Sequence, residues 1–481
     1  MLRIGLQIGA QVVLARLLGP DQYGVFAIGA TVVSLSGFFS DVGLAYGLIQ
    51  KQNINERDIR FVFTWQLVLG LAVAAAVWMS ADWIARFFDE PRSSEVLKVL
   101  ASICLLNALA APSLNLLKRE IDFKTINIVQ LISYGVGYIF IGIPLALAGV
   151  GVWALAAAWV VQATLALILF YGSSRHAISP LIWYEEARHQ SRYGGIVFVT
   201  NLVNWLIGNI DRIVVGRVFG SHEIGLYATS YNLLYTPAAA ALGVVQPVFF
   251  SASARVQDDT PRIVTGYLAL LSAVTVFACP IFSLVATAPE AFIGMIYGPK
   301  WLPAAILCQP IALAMPFFLI WGFSTPMLWT GGKAEREFWV QLPLAIFWIA
   351  ACVLASRHSV QALAWCVLAL AAIRSIVVVI AASRTVQLPW ISIWAALRGG
   401  LILSINILIA VSIVKPMLDS YSHGLKFMIL LIMVVIVWVA VLKLFPTLIG
   451  KELAYYLRQL LLRLPLRLRI TLAFLTRGSS K

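Results

Sequence analysis

The sequence predicts an all-α polytopic membrane protein with about 14 transmembrane helices, arranged as two six-helix lobes in parallel repeat plus two extra C-terminal helices. Hydrophobic residues make up 61% of the 481 residues and charged residues only 12%, whereas soluble domains average roughly 45–50% and 25%. The mean hydropathy is +0.90, and apolar runs long enough to span a bilayer recur along the whole chain. Finally, one motif occurs twice, at residues 15–27 and again at residues 216–228.

The duplicated motif reads ARLLGPDQYGVFA in the first copy and GRVFGSHEIGLYA in the second. Each copy lies between two apolar stretches, and two glycines occupy equivalent positions in both, so we expect a tight turn that joins two membrane helices. Two lobes with the same orientation and a substrate site between them are a common transporter plan. The equivalent positions are Arg16 with Arg217, Gly19 with Gly220, Gly24 with Gly225, and Ala27 with Ala228.

Fourteen apolar stretches are long enough to be candidate spans, on the rule that a bilayer core needs roughly 20 residues of helix. The first is the shortest of the N-terminal six and carries Arg3 near its start. The candidates lie at about 2–18, 23–50, 61–86, 96–117, 126–148, 151–171, 194–218, 224–250, 263–287, 302–329, 338–355, 360–382, 397–414 and 425–442.

The repeat and the spans together divide the chain into five parts. Two of them are six-helix lobes, and a cytoplasmic linker joins these. The tail mixes arginines with leucines at helical spacing, which is typical of an interfacial helix on an anionic leaflet. The parts are an N-terminal lobe at 1–171, the linker at 172–193, a C-terminal lobe at 194–382, helices 13 and 14 at 397–442, and a basic amphipathic tail at 443–481.

The basic residues indicate the orientation in the membrane. Most of the 35 lysines and arginines fall in one set of alternate loops and in the tail. Because cytoplasmic loops are enriched in Lys and Arg, both termini are expected in the cytoplasm. The net charge of +14 therefore reports topology, and we expect no nucleic-acid partner. The opposite loops hold only Arg86, Arg92, Lys98, Lys300, Arg357, Lys415 and Lys426.

Several motifs resemble those of one transporter family. Leu14–Lys51, with ARLLGPDQYG, FSDVGLA and LIQK, looks like the start of Wzx-type polysaccharide flippases. The segments NIDRIVVGRVFG from Asn209, GLYA from Gly225, RVQDD from Arg255 and YGPKWLPA from Tyr297 are similar to motifs in the second half of that family. The resemblance runs from about residue 10 to 385 and favours the colanic acid, succinoglycan and xanthan subgroup. It departs at the N-terminus, where the family has a cytoplasmic leader and a full first helix.

The resemblance implies the fold of the multidrug/oligosaccharidyl-lipid/polysaccharide exporter superfamily and a flippase that works by alternating access. Its cargo would be an undecaprenyl-diphosphate-linked oligosaccharide, moved from the cytoplasmic to the periplasmic leaflet of the bacterial inner membrane for exopolysaccharide or lipopolysaccharide synthesis. Membrane lipids would be partners, and polysaccharide polymerase and export proteins are candidate partners. No cofactor, metal or enzymatic activity is implied.

Ionisable residues inside spans are the candidate substrate-binding residues, because a charge within the bilayer is costly to keep there without a function. These are Asp41, Asp211, Arg212 and Arg374. Guanidinium groups pair bidentately with phosphate oxygens, so Arg212 and Arg374 are expected to contact the diphosphate. An alternative interpretation is that Asp41 or Asp211 only neutralises an arginine.

Other side chains receive weaker assignments. Lys118 and Arg119 could meet the diphosphate at the cytoplasmic mouth, although positive-inside topology alone explains them. Five aromatic residues could stack on sugars or simply anchor and pack the helices; they are Trp153, Trp205, Tyr227, Tyr231 and Trp321.

Three other functions stay open on the sequence. A drug or cation antiporter of the same superfamily would need a compact acidic site, for which only Asp41 and Asp211 are available. A lipid II flippase and a polytopic polysaccharide polymerase are the others, and a polymerase would need a larger outside loop than Ala288–Trp301. The chain contains no G-x-x-x-x-G-K-[ST] motif, so an ATP-binding P-loop is not expected.

Overall fold

A computed structural model describes residues 2–41, 44–45, 48, 51, 54–184, 187–255, 259–328 and 335–462. Within these residues the chain is built from α-helices joined by short connections. It divides by its internal contacts into two compact units, Met1–Thr229 and Ser230–Lys481. The lobe boundaries at 171 and 194 that the sequence suggests stay a prediction.

The first unit consists of seven helices and the beginning of an eighth, among the residues described. A π-helical segment, Gly135–Gly142, joins the fifth helix to the sixth. In chain order the helices are α1 Leu2–Leu18, α2 Pro20–Asp41, α3 Glu56–Phe87, α4 Arg92–Arg119, α5 Phe123–Tyr134, α6 Ile143–Leu147 and α7 Trp153–Ser174, followed by α8 Ala187–Arg255, which continues into the second unit.

The second unit takes up the rest of α8 and the helices that follow it. Another π-helical segment, Val274–Ala278, links α9 to α10. The helices are α9 Thr260–Ala273, α10 Cys279–Thr287, α11 Pro289–Ile296, α12 Ala305–Leu328, α13 Glu335–Ala355, α14 Val360–Thr385, α15 Trp390–Val414, α16 His423–Leu444 and α17 Lys451–Leu461.

The all-helical membrane fold predicted from composition is confirmed, but the count of fourteen spans is not. Eleven helices of the described chain are long and apolar enough to cross a membrane. The three other predicted spans lie on α1, which has 17 residues, and on the two arms of α8. The predicted tail helix is present as Lys451–Leu461, and residues 463–481 lie outside the described chain.

Side chains fix several helix starts. Asn55 and Asp58 form a capping box at the start of α3, in which each side chain accepts a hydrogen bond from the other's backbone amide at 2.9 Å. Asp122 accepts from the Thr125 amide at the start of α5, and Ser359 accepts from Ala362 at the start of α14. Each cap satisfies an amide that has no partner within its own helix.

The connection after α7 is held against the first unit by hydrogen bonds. The Trp65 indole donates to the Ile182 carbonyl at 3.0 Å, and the Leu181 amide donates to the Thr64 hydroxyl at 2.8 Å. The buried carboxylate of Asp58 accepts from Tyr184 and forms an ion pair with Lys51 at 2.7 Å. This segment is therefore a packed part of the unit.

The two copies of the duplicated motif contact each other within the first unit. Gly19 and Gly220 are equivalent, and both have positive φ, +79° and +84°, which glycine adopts without strain. At Gly24 an added Cβ would lie 1.7 Å from the Ser221 carbonyl oxygen, and at Gly225 it would lie 2.0 Å from the Pro20 carbonyl oxygen. Because Ser221 is the equivalent of Pro20, the contact is reciprocal. We call it the motif crossing.

A polar pair lies beside the motif crossing. The imidazole Nδ1 of His222 is 3.1 Å from the carboxylate of Asp21, and His222 is the residue that the repeat makes equivalent to Asp21. Arg92 chelates Glu90 with two bonds of 2.8 Å and donates to the Ser221 hydroxyl at 3.3 Å. Polar contacts thus reinforce the contact that the glycines permit.

Helix α12 contains three internal prolines, Pro310, Pro316 and Pro326. Each proline lacks the amide that would donate to the carbonyl four residues earlier. The carbonyl that Pro326 leaves unbonded belongs to Gly322, and it accepts a hydrogen bond from the Gln246 side chain at 3.2 Å. A side chain of α8 therefore replaces a missing bond of α12, close to Trp321.

Candidate functional site

Arg374 is the predicted site residue with the most developed surroundings. It lies in the middle of α14 and is 5% exposed. Its Nε donates to the Gln341 side-chain oxygen at 2.9 Å, and its guanidinium carbon lies 3.8 Å from the centroid of the Trp321 ring. Helices α12, α13 and α14 thus each contribute one of these three side chains, all within the second unit.

Other polar groups lie close to Arg374. The carboxyl group of Glu337, one helical turn before Gln341 on α13, attracts the guanidinium, and Tyr231 and Tyr235 of α8 lie near it. A cation over an indole face gains roughly 2 kcal/mol or more where water is excluded. These contacts account for the presence of an arginine within a membrane helix.

Two hydrogen-bond donors beside Arg374 have no acceptor among the described residues. They are the side-chain amide nitrogen of Gln341, which is fully buried, and the indole nitrogen of Trp321. An unsatisfied buried donor costs about 1–3 kcal/mol. Their position next to a cation is suited to a ligand that carries oxygen atoms, such as a phosphate or a sugar.

Asp211 and Arg212 lie in the first unit, on the arm of α8 before Gly220. Asp211 is 2% exposed and accepts a hydrogen bond from the Tyr227 hydroxyl at 2.6 Å. The bond joins the two arms of α8 across Gly220. Arg212 donates to the Asn209 side chain at 3.3 Å. This geometry supports the alternative in which Asp211 has a structural role, and substrate contact by either residue stays a prediction.

The structure places the other predicted residues as follows. Asp41 is the last residue of α2, and its side chain is outside what the structure describes. Arg119 donates to the Leu48 carbonyl at 2.8 Å and to the Lys51 carbonyl, so it binds the backbone of the segment that follows α2. Lys118 is half-buried, with its ammonium 3.5 Å from the Asn115 side-chain oxygen. Asp41, Asp211 and Arg212 belong to the first unit and Arg374 to the second.

The five aromatic candidates fall into different surroundings. The Trp205 indole donates to the Ser34 hydroxyl at 2.8 Å, and Tyr227 is fully buried and donates to Asp211. Both residues therefore have a packing role. Trp153 is 41% exposed at the start of α7, as expected of an anchor. Tyr231 and Trp321 alone lie in the surroundings of Arg374.

The sequence alone did not identify Gln341, Glu337 or Tyr235. A signal for them exists in the spacing. Glu337 and Gln341 are four residues apart at the start of α13, and Tyr231 and Tyr235 are four residues apart on α8, so each pair shares one helix face. A polar face on a membrane helix must find a partner within the protein.

Comparison with known structures agrees with the fold. The chain is similar to the lipid II flippase MurJ in an inward closed conformation, with a TM-score of 0.72 and 13% identity over 92% of this chain and 97% of that one. It is also similar to a multidrug resistance MATE family transporter in an inward-facing conformation, with a TM-score of 0.61 and 12% identity over 79% and 94%. At these identities the likeness concerns the fold.

Curated relatives have polysaccharide biosynthesis in their names. The lipopolysaccharide biosynthesis protein WzxC of Escherichia coli (strain K12) is 23% identical over 62% of this chain and 61% of its own length. The succinoglycan biosynthesis transport protein ExoT of Rhizobium meliloti (strain 1021) is 24% identical over 71% and 69%. The matches therefore span about three fifths to two thirds of these relatives.

A family model described as polysaccharide biosynthesis protein matches residues 13–306. This region includes both copies of the duplicated motif and most of the segments from which the resemblance was drawn. It covers more than half of the chain, and the resemblance is confirmed at the level of the family. The protein is a multi-pass membrane protein that belongs to the polysaccharide biosynthesis protein family.

Proposed function

We propose that this protein is a flippase that moves an undecaprenyl-diphosphate-linked oligosaccharide from the cytoplasmic to the periplasmic leaflet of the bacterial inner membrane. Two lines of argument support this: the family match with relatives named for polysaccharide biosynthesis and transport, and the arginine within the membrane domain. Arg374 carries the proposal, since it holds a fixed positive charge next to two unsatisfied donors.

The chemical role of Arg374 follows from the cargo. A diphosphate must leave water to cross roughly 30 Å of hydrocarbon, and its negative charge needs a counter-charge within the protein. A guanidinium group presents parallel donors that match two phosphate oxygens, and it keeps its proton. Gln341 orients the group by accepting a hydrogen bond from Nε.

The remaining alternatives have less support. The similarity to MurJ and to MATE transporters concerns the fold and does not identify a substrate. A cation antiporter would need a compact acidic site, and of its two candidates Asp211 is buried, is bonded to the Tyr227 hydroxyl and lies next to Arg212. The same proposal places both termini in the cytoplasm, which the basic loops support. It also places the protein in the inner membrane, where polymerase and export proteins are its candidate partners.

The experiment replaces the chromosomal gene with variants and measures where the lipid-linked repeat unit resides. We expect Arg374→Ala to abolish surface polymer and to leave the intact lipid-linked oligosaccharide on the cytoplasmic leaflet. Arg374→Lys should retain a small part of the activity, since a lysine keeps the charge but loses the bidentate geometry. The readout is accessibility of the sugar to a membrane-impermeant glycosidase or lectin in sealed vesicles of both orientations.

The matched control is Arg384→Ala, an exposed arginine on the same helix, which should leave polymer output unchanged. Variant levels in the membrane are compared first, so that loss of folding is separated from loss of transport. Wild-type polymer from Arg374→Ala, or repeat units that reach the outer leaflet without being polymerised in cells that lack the protein, would overturn the proposal.

A further inference from the structure

Two side chains of α8 contact α12 at Gly322. The Gln246 amide donates to the Gly322 carbonyl at 3.2 Å, and this carbonyl accepts from outside because Pro326 lacks the amide that would bond to it within α12. Leu242 lies one helical turn before Gln246 and packs so closely that a Cβ added at Gly322 would lie 2.6 Å from its side chain. The position of α12 against α8 is therefore set at one buried glycine.

This contact lies directly beside the phosphate site. Trp321 precedes Gly322 in the chain, and the guanidinium carbon of Arg374 lies 3.8 Å from the centroid of the Trp321 ring. A cation is attracted only when it lies over the face of the ring, so the contact depends on how the indole is turned. The direction of a side chain depends in turn on its backbone angles. All these residues, and Gln246, lie in the second unit.

The break in α12 is located where it would disturb this arrangement. A proline within a helix removes one hydrogen bond and allows the helix to kink. In α12 the missing bond is the one between Gly322 and Pro326, and Trp321 comes directly before it. Bending at this point would turn the indole relative to α14, which carries Arg374. Gln246 supplies a donor from another helix and so restricts that bending.

We propose that Gln246 is a positioning residue of the phosphate site. It binds the Gly322 carbonyl, thereby fixes the backbone beside Trp321, and so keeps the indole in the orientation on which Arg374 rests when it meets the diphosphate. Gln246 acts through Trp321 and Arg374, without contacting the cargo. This inference rests on the proposed function and adds to it a residue of α8.

The test measures binding of radiolabelled undecaprenyl diphosphate to the purified full-length protein in nanodiscs. Gln246→Leu keeps the size of the side chain and removes the donor, and we expect it to weaken binding about tenfold, the scale of one lost cation–π contact. Arg374→Ala should weaken binding further. Because Gln246 acts through Arg374, the double variant should bind no more weakly than Arg374→Ala alone, which is the signature of coupled residues.

A change on α12 tests whether the Gly322 carbonyl is the group that matters. Pro326→Ala restores an amide that can donate to this carbonyl within the helix. Added to Gln246→Leu, it should return most of the lost affinity, although the two substitutions lie on different helices. A role of Gln246 in packing alone would not be rescued in this way.

The matched control removes the same kind of bond elsewhere in the second unit. Pro280 deprives the Val276 carbonyl of its helical donor, and the Trp438 indole donates to that carbonyl at 2.8 Å. Trp438→Phe keeps a ring and loses the donor. We expect this variant to melt at a lower temperature and to bind the diphosphate lipid like the wild type.

Three results would refute the positioning role and leave the flippase proposal standing. They are wild-type affinity in Gln246→Leu, an equal loss of affinity from Gln246→Leu with and without Arg374→Ala, and an equal loss in Trp438→Phe. If Gln246→Leu does not fold, Gln246→Met, which also lacks a donor, is measured in its place against the same expectations. Wild-type binding by Arg374→Ala would instead refute the phosphate site itself.

Discussion

His176 is a buried titratable residue in the connection after α7. Its side chain is 7% exposed, its Nε2 lies 3.0 Å from the Ser113 hydroxyl, and the rings of Phe63 and Tyr171 flank it. Burial lowers the pKa of His176 below its ordinary value, although a hydrogen bond to the Ala177 carbonyl opposes the shift. The folded protein therefore holds the imidazole neutral under conditions in which the unfolded chain begins to protonate it.

This lowered pKa predicts a loss of stability in acid. The unfolded chain takes up a proton near the ordinary histidine pKa of about 6.5, while the folded protein takes it up only at lower pH, so stability falls as the pH drops below that value. We expect the melting temperature of the wild type to decrease between pH 8 and pH 5 by more than that of His176→Gln. Melting is followed by intrinsic fluorescence in detergent.

The control for this prediction is His358→Gln, because His358 is exposed in the turn after α13. That variant should keep the acid sensitivity of the wild type. Equal acid sensitivity in the wild type and in His176→Gln would show that other groups dominate the titration.

The individual site residues show what sequence can and cannot reveal. Arg374 could be identified because a charge within an apolar run is rare and visible. Its partners could not, because Trp321 and Gln341 lie on other helices, and one sequence does not state which faces meet. Asp211 was likewise visible as a charge within an apolar run. Its hydrogen bond to Tyr227 across Gly220 was not, because that bond depends on the geometry of the turn.

At the scale of elements, the motif crossing depends on the absence of two side chains. We expect Gly225→Ala to destabilise the protein by roughly 1–3 kcal/mol, because the new methyl group would lie 2.0 Å from the Pro20 carbonyl oxygen and would force backbone apart. Thermal melting and urea titration in detergent micelles measure the change. Gly24→Ala should have a similar effect, since its methyl group would meet Ser221 at 1.7 Å.

Gly208→Ala is the matched control on the same helix. An added Cβ at Gly208 meets no atom within 4 Å, and alanine is favoured over glycine within helices by about 1 kcal/mol. This variant should therefore be as stable as the wild type or more so. A destabilisation equal to that of Gly225→Ala would mean that any change in α8 is harmful, and the close approach would lose its significance.

The repeat was detectable because glycine is the residue that both features require. Gly19 and Gly220 have positive φ, and Gly24 and Gly225 allow a close backbone approach. Both copies therefore keep glycine at the same two positions. The reciprocal contact itself was not predictable, since the motif alone suggested two separate turns. Likewise α8 is two helices that meet at a kink at Gly220, whose angles of φ 84° and ψ −176° are non-helical, where the motif suggested a tight turn.

At the scale of the whole molecule, the basic loops predict the side of the membrane on which each connection lies. We expect a cysteine introduced at Glu120, between Arg119 and Lys124, to react with a membrane-impermeant maleimide only after spheroplasts are disrupted. A cysteine at His358 should react in intact spheroplasts. Both positions are exposed, and the background is a variant with the five native cysteines replaced by alanine.

The opposite labelling pattern would invert the orientation and contradict cytoplasmic termini. Labelling of both positions in intact spheroplasts would show leakage, which a soluble cytoplasmic marker enzyme checks independently. The five native cysteines form no disulfide, and four of them are buried, so the cysteine-free background is first compared with the wild type in melting temperature and polymer output. Composition thus predicted the membrane class, while the topology inferred from the basic loops stays a prediction and the number of spans depends on the short α1 and on α8.

The pair formed by Asp21 and His222 has a consequence for the origin of the two-copy chain. The reciprocal contact is what a half-length chain would make with a second copy of itself. In such a symmetric pair this position would face its own duplicate, so that an aspartate would meet an aspartate and repel it. Fusion of the copies removes that constraint, because the two positions can then diverge. Once the two positions are encoded separately, an acid and an imidazole can meet at this contact, as they do here at 3.1 Å.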